Sequence, residues 1–98
     1  MTINIRYQAH VQNIGWQGWV QDGQIAGTTG QGLRMEALMI GLTGPTDGLG
    51  VVYQAHVENV SWQELVANEE VAGTTGQGLR MEAIKIVLAL LHPGAPGA

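Results

Sequence analysis

Displaced by 46 positions, the sequence overlays itself without a gap. Tyr7-Gln8-Ala9-His10-Val11 falls on Tyr53-Gln54-Ala55-His56-Val57, and Ala26 to Ala37 falls on Ala72 to Ala83 with all twelve residues identical. A period of this size marks repeat architectures, in which one supersecondary unit cannot bury its apolar face alone and needs neighbours to do so. The units run from about Ile5 to Thr43 and from about Val51 to Ala89. Residues 44–50, Gly44-Pro45-Thr46-Asp47-Gly48-Leu49-Gly50, are dominated by turn formers and read as a linker between equal halves. Both repeats together make one domain over residues 1–91, followed by a tail, His92 to Ala98, whose composition cannot hold a packed element.

A period in the forties suits propeller blades, β-prism or β-trefoil units and paired-helix solenoids, so the pattern inside each unit has to choose between sheet and helix. At the start of each unit Tyr7, Ala9 and Val11 alternate with Gln8, His10 and Gln12, and Tyr53, Ala55 and Val57 alternate with Gln54, His56 and Glu58. That period of two predicts a half-buried strand. The last third of the first copy, Leu33 to Met39, consists of good helix formers. Its counterpart carries Ile84, Ile86 and Leu88 alternating with Lys85 and Val87, and the β-branched residues favour a strand. Ala26-Gly27-Thr28-Thr29-Gly30-Gln31-Gly32, with three glycines in seven residues, reads as a tight loop between strands.

The expected fold is therefore all-β, with two tandem pseudosymmetric repeats forming part of a closed architecture of β-prism, β-trefoil or β-propeller type. Two sheet units leave edges and an apolar face uncovered, so a homo-oligomer is expected to complete the ring; the alternative is a monomer in which the two units face each other as a sandwich.

Composition narrows the function. Four Lys plus Arg against eight Asp plus Glu give a net charge of −4, and the basic residues form no cluster that could follow a phosphate backbone, which argues against a nucleic-acid partner. With no cysteine, disulfides, zinc–thiolate sites and a cysteine nucleophile are excluded together. The apolar run Ile84 to Leu91 is interrupted by Lys85 and falls well short of the about 20 residues a spanning helix needs, so no membrane insertion is expected. Met1 to Tyr7 shows no signal-peptide pattern, which leads to an expectation of cytoplasmic synthesis. One His per repeat, with no second His or Cys at ligand spacing, does not make a metal site, and no cofactor is expected. Hydrolytic catalysis needs a unique constellation such as a nucleophile with an oriented base, and none stands out; repeated modest sites suit a binding protein, because linked sites raise avidity.

Tyr7, His10-Val11-Gln12-Asn13, Gly15-Trp16-Gln17, Trp19-Val20, Asp22-Gly23, Ala26-Gly27-Thr28-Thr29-Gly30 and Leu33-Arg34-Met35-Glu36-Ala37 together resemble the clostridial hydrophobic repeats with a tryptophan, the ChW repeats. The second copy departs from that pattern at Ser61, at Leu65, where the second tryptophan would stand, and at Asn68-Glu69, in place of the Asp-Gly turn. The resemblance implies a β-rich, non-catalytic repeat similar to those of bacterial surface or secreted proteins, with carbohydrate or another surface component as ligand.

Within that frame a glycan is the expected ligand, and eight residues are candidates to bind it. Trp19 has no aromatic counterpart and reads as an exposed stacking platform beside Asp22, whose carboxylate can accept from a hydroxyl or form an Asx-type turn with Gly23. His10 and His56 lie on the polar face of their strand, where they can bond a sugar hydroxyl or serve as cross-strand partners of Glu36 and Glu82. Arg34 with Glu36, and Arg80 with Glu82, are two apart and share a face if the segment is a strand; each pair can grip vicinal hydroxyls or hold register as an ion pair. Trp16 and Trp62 occupy one position in both copies and are expected in the core of a chain that has no Phe.

Overall fold

The structure, a computed structural model, describes residues 2–91; the tail set apart above, His92 to Ala98, lies outside the described residues. Nine strands and no helix make up those residues: β1 (Asn4–Val11), β2 (Gly15–Trp16), β3 (Val20–Gln21), β4 (Met35–Thr43), β5 (Leu49–Val57), β6 (Ser61–Trp62), β7 (Val66–Ala67), β8 (Ala72–Gly73) and β9 (Met81–Leu90). The segment of good helix formers is a strand in both copies, because its apolar residues recur with a period of two and a sheet partner lies beside it.

Each repeat is built on one long antiparallel pair, β1 with β4 and β5 with β9, flanked by two-residue strands. Tyr7 stands opposite Ile40 and Tyr53 opposite Ile86, so the repeats are superposable in register as well as in sequence. β2 and β3 line the other edge of β1, and β6 and β7 that of β5. β5 begins at Leu49, so the last two residues of the expected linker belong to the second repeat's strand, and the turn proper closes with Leu49 N–H donating to Thr46 O at 2.9 Å.

The tight turns after β1 and β5 require a left-handed residue. Gly15 fills that role at φ 88°, and Ser61 takes the equivalent place at φ 79°, where an L side chain is strained. The backbone closes the same way in both, from Ile14 N to Val11 O and from Val60 N to Val57 O, each at 3.0 Å.

The core lies between the repeats. Val51, Tyr53, Ala55 and Val57, the inward face of β5, are fully covered by Ala9, Val11, Leu38, Ile40 and Ala72. The junction is also made through the backbone. β8, from the second repeat, adds to the free edge of β4, pairing Gly73 with Ala37 and Ala72 with Leu38. Thr74 N–H donates to Glu36 O at 3.0 Å and Glu69 N–H to Ile40 O at 2.7 Å. The segment expected to be a loop is thus partly strand in the second repeat, whereas its identical twin Ala26-Gly27 is not. Among the described residues the two sheets do not close on themselves: β9 has β5 on one side and no strand on the other.

Candidate functional site

The outer face of each repeat carries the same group of side chains. His10 faces Trp16 across β1 and β2, and His56 faces Trp62 across β5 and β6. The ring centroids stand 5.2 and 5.1 Å apart, at 82° and 83°, the edge-to-face arrangement that aromatic quadrupoles favour. Trp16 and Trp62 are therefore not the core tryptophans expected from sequence. Each is registered against an outward histidine, so strand alternation turns it outward, and Trp62 is 39 % exposed. The interior aromatic position belongs to Tyr53.

Glu36 and Glu82 reach these clusters through a β-bulge. His10 pairs with Ala37 but Val11 with Met35, and His56 pairs with Ala83 but Val57 with Met81, leaving Glu36 and Glu82 as the extra residues. A bulge re-aims the side chain it carries. Here it places Glu82 Oε1 3.0 Å from His56 Nδ1 and Glu36 Oε1 3.2 Å from His10 Nδ1, the latter off the line of a hydrogen bond. The cross-strand histidine–glutamate pairing is thus present in both copies.

The arginines complete the group from just before the strands rather than from within them. Arg34 Nε donates to Glu36 Oε2 at 3.1 Å. Arg80 sits between two carboxylates, 3.1 Å from Glu58 Oε2 and 3.4 Å from Glu82 Oε2. Glu58 stands where the first copy has Gln12, and both bond the arginine amide, Gln12 to Arg34 N at 3.3 Å and Glu58 to Arg80 N at 3.2 Å. On the second cluster Lys85 Nζ lies 4.3 Å from the Trp62 ring centroid; Met39 stands at the equivalent place in the first.

The other two candidates lie apart from this group. The Arg6 guanidinium lies 4.4 Å above the Trp19 ring and bonds Glu69, so one face of the expected platform is covered by a bridge between the repeats. Asp22 accepts from the Ile5 amide at 3.1 Å and from Asn4 Nδ2, and its own amide donates to Ile5 O. Asn68 does the same for Val51 in the second repeat, so this position fastens the start of a strand.

His10, Arg34 and Glu36 come together, as do His56, Arg80 and Glu82, whereas Trp19 and Asp22 serve the other end of β1. Sequence reasoning missed Glu58, Lys85 and the outward tryptophans. The signal for the tryptophans was available: a turn of three residues sets Trp16 opposite His10.

The two clusters differ in cover. Glu36 has 8 % of its side chain exposed and Glu82 33 %, because the first cluster lies under the β4–β8 junction. The second lies on an open edge.

Fold and site together define an all-β tandem-repeat module bearing one histidine–tryptophan–glutamate–arginine cluster per repeat. The clostridial hydrophobic W (ChW) profile matches residues 10–44 and 56–89, and the chain belongs to that family, as two tandem ChW repeats. No curated protein and no solved structure gives a match.

Proposed function

We propose that the chain is a non-catalytic carbohydrate-binding repeat module, multivalent through its two repeats and through association of chains into a closed pseudosymmetric ring. The observation that supports the sugar reading is the repeated outer-face cluster. In each copy a partly exposed indole stands edge-to-face with an imidazole, the imidazole lies against a carboxylate, and the carboxylate is paired with a guanidinium. An indole offers an apolar face with little rotamer entropy to lose, and arginine and glutamate supply planar donors and acceptors suited to adjacent hydroxyls. Two such sites on one chain raise avidity without new contacts. The chemistry suits a neutral or hydroxyl-rich saccharide, given the net charge of −4 and the carboxylates in both clusters.

A glycan-array screen with the labelled protein tests the reading. Reproducible binding to one saccharide class, competed by the free sugar, supports it. The absence of any competed signal at high protein concentration overturns it and leaves a structural or protein-interaction repeat.

A further inference from the structure

The junction inside the chain shows how one repeat recognises the next. The receiving side is the edge of β4: Glu36 O accepts from Thr74 N, Ala37 and Leu38 pair with Gly73 and Ala72, Ile40 N donates to the Tyr53 hydroxyl, and Ile40 O accepts from Glu69 N. The donating side is Tyr53 with the segment from Glu69 to Thr74.

Both halves recur unused. Glu82-Ala83 repeats Glu36-Ala37, with Ile84 and Ile86 where Leu38 and Ile40 stand, and Ala26-Gly27-Thr28 repeats Ala72-Gly73-Thr74. Among the described residues, neither half makes the inter-repeat bonds its twin makes, although the bonds within the repeat recur: Tyr7 donates to Gln24 O as Tyr53 donates to Glu70 O. The side chains carry the same imbalance. Ile40 is 2 % exposed and its counterpart Ile86 is 51 % exposed; Leu88, on the same face of β9, is 56 % exposed. These residues and Ile5 and Leu42 of the first repeat border an open apolar groove of about 440 Å³. Long apolar edge strands of this kind invite pairing.

We propose that a second copy of this chain docks head to tail on β9. Its Ala26-Gly27-Thr28 segment pairs along Glu82-Ala83-Ile84, and its Tyr7 hydroxyl receives the Ile86 amide. The interface is heterologous: each chain presents a donor side at its first repeat and a receiver side at its second. The incoming loop covers Glu82 as the second repeat covers Glu36, so the cluster of His56, Trp62, Arg80 and Glu82 is completed by the neighbouring copy. The inference deepens the chain association in the proposed function and does not depend on a sugar.

Two variants test it, each altering a residue that stands at least partly exposed in the single chain. Ile86→Lys spoils the receiver and Ala26→Arg the donor, while each leaves the other side intact. By sedimentation or light scattering the wild type is expected to show a mass of at least two chains. Each variant alone is expected at the mass of one chain with an unchanged circular dichroism spectrum. An equimolar mixture is expected to double the mass and stop there, because only one of the two interfaces can form. A monomeric wild type at millimolar concentration overturns both chain association and this interface. A wild-type oligomer that survives both substitutions, or variants whose mixture fails to associate, overturns the interface alone and leaves association by another surface.

Discussion

The amide of Ile40 donates to the hydroxyl of Tyr53 at 3.1 Å, and the same hydroxyl donates to Glu70 O, so one buried phenol ties the first repeat's long strand to the second repeat's loop. Around it pack the aliphatic side chains of β1, β4 and β5. Tyr53→Phe leaves a buried N–H and a carbonyl without their partner. It is expected to destabilise the fold by about 1–3 kcal/mol, read as a lowered urea midpoint followed by tryptophan fluorescence.

The same group makes the junction sensitive to alkali. Burial is the main cause that pushes the Tyr53 phenol above its ordinary value of 10.0, with the Glu70 and Glu69 carboxylates adding to it against two backbone hydrogen bonds. The folded chain then holds this proton more tightly than the unfolded chain. Tyr53's contribution to stability is present in full below pH 10.0 and is lost as the pH rises through the folded value. Urea midpoints measured at increasing pH are expected to fall there in the wild type and to fall less steeply in Tyr53→Phe.

Gly73 and Gly27 are identical in sequence context and have similar backbones, φ 97° and 101°, but only Gly73 lies in the junction. A Cβ on Gly73 would run into the Glu36 carbonyl oxygen and stand 2.8 Å from Ala37 Cα; on Gly27 it would meet only the mobile end of Met35, at 3.1 Å. Gly27→Ala is expected to cost the about 1–2 kcal/mol of a left-handed L residue. Gly73→Ala is expected to cost about 1–3 kcal/mol more, for overpacking against backbone. Equal losses in urea unfolding on the Ile86→Lys background, where the chain is single, would contradict the observed pairing.

Ser61 offers a gain instead. It adopts the φ 79° that Gly15 adopts in the first copy, and it is exposed. Ser61→Gly relieves the left-handed strain and is expected to stabilise the fold by about 1 kcal/mol in the same unfolding assay, less the entropy that glycine adds to the unfolded chain.

For the binding site, Arg34→Met and Arg80→Met remove the planar donors and leave the tryptophans in place. Loss of a charged hydrogen bond is worth about 1.5–3 kcal/mol, so affinity per site for a sugar taken from the array is expected to fall about 10- to 100-fold, read by calorimetry. Oligomer mass is expected to stay unchanged, since neither guanidinium makes a backbone bond of the β4–β8 type.

Much of this arrangement was legible before the fold. Alternation at Tyr7-Ala9-Val11 and Ile84-Ile86-Leu88 determines strands with an apolar face, and an offset of 46 residues determines that the two halves share one register. The pairing of His10 with Glu36 does not follow from that alternation, which sets Glu36 on the face of Leu38 and Ile40. The bulge at Glu36 and the outward turn of Trp16 were hidden, because an extra residue in one strand has no compositional mark and a two-residue strand is too short to show a period.

What the sequence cannot determine is clearest in the twelve identical residues. Ala72-Gly73 is a strand and Ala26-Gly27 is not; Glu36 is covered and Glu82 is open. Local propensity is equal in the two copies, so the difference arises entirely from what lies beside each one. The first repeat has a neighbour on its β4 edge, and β9 has none among the described residues. By itself the sequence determined the repeat and its long strands. Tertiary structure decided which copy of each surface is used, because backbone donors and apolar faces are satisfied only where a second segment reaches them.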